Sequence, residues 1–266
     1  MKARRSRGAR ALPLPVLLPV LCGAALLGVP LFALVARAPW GRLATELASP
    51  EVLTALQLSL YCSVSATALS TLLGVPLAWL LARGEFRGRR LLRALVMLPM
   101  ILPPVVGGVA LLLAFGRRGL VGAWLDQAFG IQLPFTLAGA VLAETFVAMP
   151  FLVIAAEGGF RQVDRRLEQA AATLGASRLR VFARITLPLA APALGAGAAL
   201  CWARALGEFG ATITFAGNLP GRTQTLPLAV YIALETRPEA AFAMSLVLLA
   251  VALAVLVALR ETWTGR

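Results

Sequence analysis

The chain has 266 residues, of which 59% are hydrophobic and 14% charged, with a mean hydropathy of +0.84. Soluble domains carry about 25% charged residues and disorder needs low hydrophobicity, so both classes are excluded. The net charge of +13 rests on arginine, Lys2 being the one lysine among 25 basic residues. A pI near 11.5 would suit nucleic acid, but no basic stripe lies on a polar face, and nucleic acid is not expected as a partner. In so apolar a chain, arginines in loops orient the protein in a membrane.

A spanning helix takes about 20 apolar residues. The first charge-free run, Ala11 to Ala36, has 26 residues. Its Arg-rich start and Ala36-Arg37-Ala38 resemble a cleaved signal peptide. The run is longer than the roughly 7–15 residue core of such peptides and holds Pro13, Pro15, Pro19 and Pro30. A retained helix is therefore expected. Val52 to Ala82 is the second run, with 31 residues, and Ala94 to Gly116 the third, with 23. Pro99, Pro103 and Pro104 predict a break in the third span. Gln127 to Ala156 is interrupted by Glu144 alone, and Ala193 to Gly217 by Arg204 and Glu208. Ala240 to Leu259 is the last run, with 20 residues. Six helices are expected; a barrel needs short alternating strands instead.

Eighteen basic residues fall on the side of the termini, of Arg83 to Arg93 and of Glu157 to Pro192; six fall on the other side. The positive-inside rule makes the richer side cytoplasmic. Both termini then lie inside, as an even number of spans requires.

Glu157 to Pro192 is a 36-residue polar excursion. Asp164 is placed to cap a helix, with Leu167, Ala170, Ala171 and Leu174 at helical spacing. Gly175 suits the left-handed residue after that helix. Ser177 can cap a second, short helix with Leu179, Val181 and Phe182 on its apolar face. Pro188 and Pro192 mark the start of the next span. The segment reads as a helix–turn–helix lying against the membrane.

Some chemistry is absent. There is no histidine, hence no imidazole base or ligand. Cys22, Cys62 and Cys201 stand far apart, without metal spacing. With one lysine, at position 2, no phosphate-binding P-loop exists. No catalytic residue, metal ligand or cofactor is expected in this chain. Any energy its work needs must come from an ion gradient or from another subunit. A gradient-driven transporter would explain the spans and their buried charges but not the excursion; a membrane enzyme would need a polar cluster that is missing.

The excursion reads LEQAAATLGASRLRVFARITLPLAAP from Leu167 to Pro192. It closely resembles the EAA loop of ABC importer permeases: Ala170 and Ala171, then Gly175, Ile185, Leu187 and Pro188 keep the family spacing. Gln169 stands where the pattern has Glu, and Glu168 is one residue early. Leu98-Pro99, Pro103-Pro104, Gly107, Gly116 to Gly119 and Gly122 are similar to the molybdate branch. So are Arg204 to Thr212, Asn218, Pro220-Gly221 and Thr225 to Pro227. Sulfate permeases share similar Gly-Glu-Phe-Gly segments.

The resemblance implies an all-α membrane protein with the type I ABC importer permease fold. It divides the chain into a tail plus extra first helix (1–45), a permease domain with five core spans (46–260) and a cytoplasmic tail (261–266). It implies import of an oxyanion, molybdate first, with tungstate or sulfate as alternatives. The implied partners are a separate ABC ATPase, which binds the ATP, an external solute-binding protein, and a second copy of the chain. Glu168, Gln169, Ala170, Ala171, Gly175, Ile185, Leu187 and Pro188 become candidates for coupling to the ATPase.

Charges within the membrane face a bundle interior or a watery path. Arg204 and Glu208, four apart, are expected on one helix face. Arg204 either attracts the anion or holds a gate, or else it and Glu208 neutralise each other or bind neighbouring helices; its place before Glu208, the weaker order, leaves it freer to bond elsewhere. Thr212, Thr214 and Asn218 offer neutral groups along the same span. Glu144 is expected near the outer end of its span or paired with an arginine of another helix. These six are the pathway candidates.

Overall fold

The computed structural model describes residues 14–263, with side chains from Pro15 to Ala258. The two basic tails counted for orientation lie largely outside the described residues. The described part is built from helices.

Helix α1 (Leu14–Ala36) stands at the periphery, beside the last helix, and no described residue of it is buried. Such all-round exposure of apolar side chains suits lipid. A short α2 (Leu43–Leu47) leads to α3 (Pro50–Arg83), with proline in its first turn. The third span is α4 (Arg89–Ile101) and α5 (Pro104–Phe115), bent by 119°. Leu102 and Pro103 each precede a proline and are extended, at ψ 137° and 131°; the following ring excludes helical backbone there. Pro99 stays inside α4, so the second and third of the three prolines make the break.

Helix α6 (Gly122–Phe129) precedes α7 (Leu137–Gln162), capped by Thr136, whose Oγ1 accepts from Gly139 N at 3.1 Å. The fourth span therefore begins ten residues after Gln127 and ends six after Ala156. Glu157 belongs to this helix and not to the excursion: it is buried and paired with Arg93 and with Arg161, the latter at 2.6 Å. A neutralised acid can prolong a span that charge counting would end.

Helices α8 (Arg165–Thr173) and α9 (Arg178–Val181) follow. Through a π turn at Phe182–Thr186, α9 runs on into α10 (Leu187–Leu206). Pro188 lies in the first turn of α10, whereas Pro192 is inside it. The fifth span is interrupted at 207–209, and α11 (Gly210–Phe215) completes it. Helices α12 (Leu226–Thr236) and α13 (Pro238–Trp263) end the described chain. Five helices are long and apolar enough to cross a membrane, six counting the bent pair. The bent pair climbs along α7: Val96 packs beside Ala156 and Phe160, whereas Leu111 packs beside Ala143 and Phe215.

The centre is α3, α7 and α10, packed pairwise. Their contacts are Ala66, Ala148, Leu152, Cys201 and Ala205, all fully buried. A Cβ on Gly159 would stand 2.5 Å from that of Ala193, and one on Gly197 2.8 Å from that of Ala155. Small residues let helix backbones approach closely, which is how helices gain attraction in lipid.

Candidate functional site

The polar helix α8 starts on Asp164, which accepts from Arg166 N at 2.9 Å. It stops at Gly175, with φ +83°. There Gly175 N donates to Ala172 O and Ala176 N to Ala171 O, both at 3.0 Å. This paired closure needs a left-handed residue, which glycine adopts without a Cβ penalty. Ser177 then caps α9, accepting from Arg180 N at 3.4 Å. Nothing lies within 4 Å of the place where a Gly175 Cβ would be, so backbone geometry alone demands the glycine.

No residue of α8 is buried. Leu167 and Ala170 are exposed, Ala171 is half-buried, and Leu174 is 88% exposed. Leu179, expected on an inward apolar face with Val181 and Phe182, is instead 76% exposed; Val181 and Phe182 do turn inward. The loop thus presents several apolar side chains outward instead of packing them against its own chain. Ile185 and Leu187 are half-buried at the π turn, Leu187 against the core beside Phe160 and Ala190. Pro188 is exposed. These three residues root the loop rather than form its outer face.

Glu168 turns inward. Its Oε1 accepts from Arg83 Nη2 at 3.0 Å and from Thr186 Oγ1 at 2.8 Å. Gln169 is exposed, at the rim of a cleft of about 300 Å³ floored by Trp79, Phe182 and Thr186.

The second cluster lies where the fifth span is broken. Arg204 and Glu208 do not share one continuous helix: α10 ends at Leu206. They pair nonetheless, Arg204 Nη2 to Glu208 Oε2 at 2.5 Å. Glu208, 1% exposed, also accepts from Ala211 N at 2.8 Å, closing the first turn of α11. Arg204 is therefore held by Glu208 rather than left free; its side chain keeps 27% exposure. Thr214 donates to Gly210 O at 2.8 Å, so its hydroxyl is engaged within its own helix. Buried Thr212 Oγ1 and Asn218 Oδ1 have no hydrogen-bond partner. Glu144 is fully buried, its Oε2 unpartnered, and no arginine among the described residues pairs with it. Arg204, the arginine of the fifth span, is paired with Glu208 instead. Helices α5 and α11 meet at this level, where a Cβ on Gly210 would stand 2.8 Å from Pro104 Cβ. Two interrupted spans thus pack their broken ends together, an arrangement tolerated where backbone is enclosed by protein or lines a cavity.

Sequence reasoning missed Arg83, Arg93 and Thr186. Each is an ordinary member of a basic or polar stretch, and only the folded contact singles it out.

Residues 74–261 match the family of the binding-protein-dependent transport system inner membrane component. The chain is 49% identical to the molybdenum transport system permease protein ModB of Mycobacterium tuberculosis over 241 residues, 91% of each chain. It is 46% identical to ModB of Escherichia coli, over 80% of this chain and 93% of that one. The sulfate transport system permease protein CysT of Escherichia coli is 37% identical, over 86% and 83%. The fold matches a crystal structure of a bacterial ABC transporter that imports alginate, at 18% identity and a TM-score of 0.71, covering 94% of both chains. The chain belongs to the family of binding-protein-dependent transport system inner membrane components: it is a multi-pass membrane permease subunit, not an enzyme, with the type I ABC importer fold.

Proposed function

We propose that this chain translocates molybdate inward as the membrane subunit of an ATP-driven importer. Support for the cargo comes from relatives named for molybdenum, which are more similar than the one named for sulfate. Support for the mechanism rests on one observation above all: α8 is a closed, capped helix that buries nothing and offers Leu167, Ala170 and Leu174 outward. A helix with exposed apolar side chains and fixed ends is suited to a groove on a partner, here a separate ATPase that holds the ATP. No cofactor is needed in this chain.

Two copies pair, and the anion passes between them. A solute-binding protein delivers it from outside; an alginate importer with its periplasmic protein has the same fold as this chain, at a TM-score of 0.70. The Arg-rich loop face is cytoplasmic, and so are both termini. Arg204, paired but not enclosed, supplies a fixed positive charge beside the path. Glu208 offsets part of its pull, which suits a path that must release its ion.

The test is uptake of labelled molybdate by vesicles holding this chain, its ATPase and its binding protein, with excess sulfate as competitor. ATP-dependent uptake that tolerates sulfate is expected. Uptake abolished by sulfate moves the cargo to sulfate, and uptake driven by an ion gradient without ATP overturns the reading.

A further inference from the structure

The outer face of α8 explains how a partner grips the loop, but not how the loop grips its own membrane body. Helix α8 has no buried residue and therefore no apolar anchor. A cleft of about 300 Å³ separates its inner side from Trp79 and Phe182. The Arg165–Glu85 pair, at 3.8 Å with both side chains more than half exposed, contributes little.

One contact is different. Arg83, the last residue of α3, donates from Nη2 to Glu168 Oε1 at 3.0 Å and from Nε at 3.3 Å. The same Nη2 donates to Val163 O, at the end of α7, at 2.8 Å. Thr186, buried at the π turn below α10, donates to the same carboxylate oxygen at 2.8 Å. The Arg83 and Glu168 side chains are only 13% and 19% exposed. A single carboxylate thus joins α8 to α3 and to the foot of α10, while the guanidinium holds the end of α7. Shielded, charge-assisted bonds to a planar fork fix direction as well as distance.

We infer that Arg83 is a positioning residue for energy coupling: through Glu168 it ties α8 to α3, so that displacement of α8 reaches the spans. The inference rests on the importer reading above. Slack in the joint leaves hydrolysis running without moving the spans.

The experiment measures molybdate uptake and ATP hydrolysis in the same vesicles, containing the full complex, for the wild type and for Arg83→Gln. The expected result is an uptake-per-ATP ratio lowered about tenfold, within the range that a coupling residue commands, with the ATPase still co-purifying. Arg83→Lys, which keeps a cation near Glu168, is expected to recover part of the ratio. An unchanged ratio in Arg83→Gln overturns the inference. Should that variant fail to accumulate, Thr186→Val removes one bond to the same carboxylate; a lowered ratio supports the joint, and an unchanged one overturns it. Wild-type vesicles without ATP-driven uptake overturn the importer reading itself, and the two failures are thereby distinguished.

Discussion

Along α7 and α10, Gly159 and Gly197 face Ala193 and Ala155 with no room for one more carbon. Around α8, by contrast, Gly175 has nothing within 4 Å of its missing Cβ, and the helix touches its own chain through a few polar bonds. The first region is held by shape and the second by a handful of directional contacts. Shape resists sliding, whereas a polar joint at the end of an otherwise free helix passes on force without fixing every side chain. A machine moved from outside needs both.

The sharpest way to break the contrast is to exchange volume. Gly159→Leu forces a side chain into Ala193, and overpacking a tight interior costs about 1–3 kcal/mol or more. The variant is expected to lose assembled protein on size-exclusion in detergent; normal yield and transport would mean that the contact is looser than it looks. Gly175→Val is the counterpart. It places a β-branched residue at φ +83°, at a cost of about 1–2 kcal/mol confined to the loop. Normal assembly is expected, with uptake per ATP reduced; a failure to assemble would show that the loop also supports the membrane body.

Asp164→Ala is milder. Loss of a cap costs about 1 kcal/mol, expected as faster proteolysis or amide exchange in α8 alone. The smallest effect concerns the opposite end of the molecule. Asp126 accepts from Gln132 and from Arg117, and these bonds hold its carboxyl below the usual carboxylate range. A depressed native value means that the contribution is present at neutral pH and fades as pH falls through that value. The difference in thermal stability between the wild type and Asp126→Asn is therefore expected to be small at neutral pH and to vanish in acid.

What the sequence made legible follows from the same contrast. The ends of α8 and the start of α9 were readable to the residue, because Asp164, Gly175 and Ser177 act on backbone within a few positions of themselves. The spans were readable as apolar runs, but their interruptions were not equally so. Pro103 and Pro104 announced one break by ring chemistry. The break after Leu206 has no proline to announce it: Gly207, Glu208, Phe209 and Gly210 stand inside an otherwise apolar run, and Glu208 accepts the Ala211 N–H that starts the next helix. Helices α6 and α12 went unread because each is too short to span. Glu157 was assigned to the loop because an acid looks like a boundary until its arginine, 64 residues away, is seen. The Arg83 joint stayed hidden for the same reason: its partners are separated by 85 and 80 positions.

One consequence remains in the π turn. Because α9, that turn and α10 are continuous over the 29 residues Arg178–Leu206, the return arm of the loop is the inner end of a single rod about 44 Å long. Its tightest bearing point is Ala193, 2.5 Å from where a Gly159 Cβ would stand, about 22 Å from Arg178 and about 20 Å from Leu206 by helical rise. Rocked about that fulcrum, the rod is a lever with nearly equal arms. A stroke at the loop then returns, opposite in direction and similar in size, at the end where Arg204 meets Glu208.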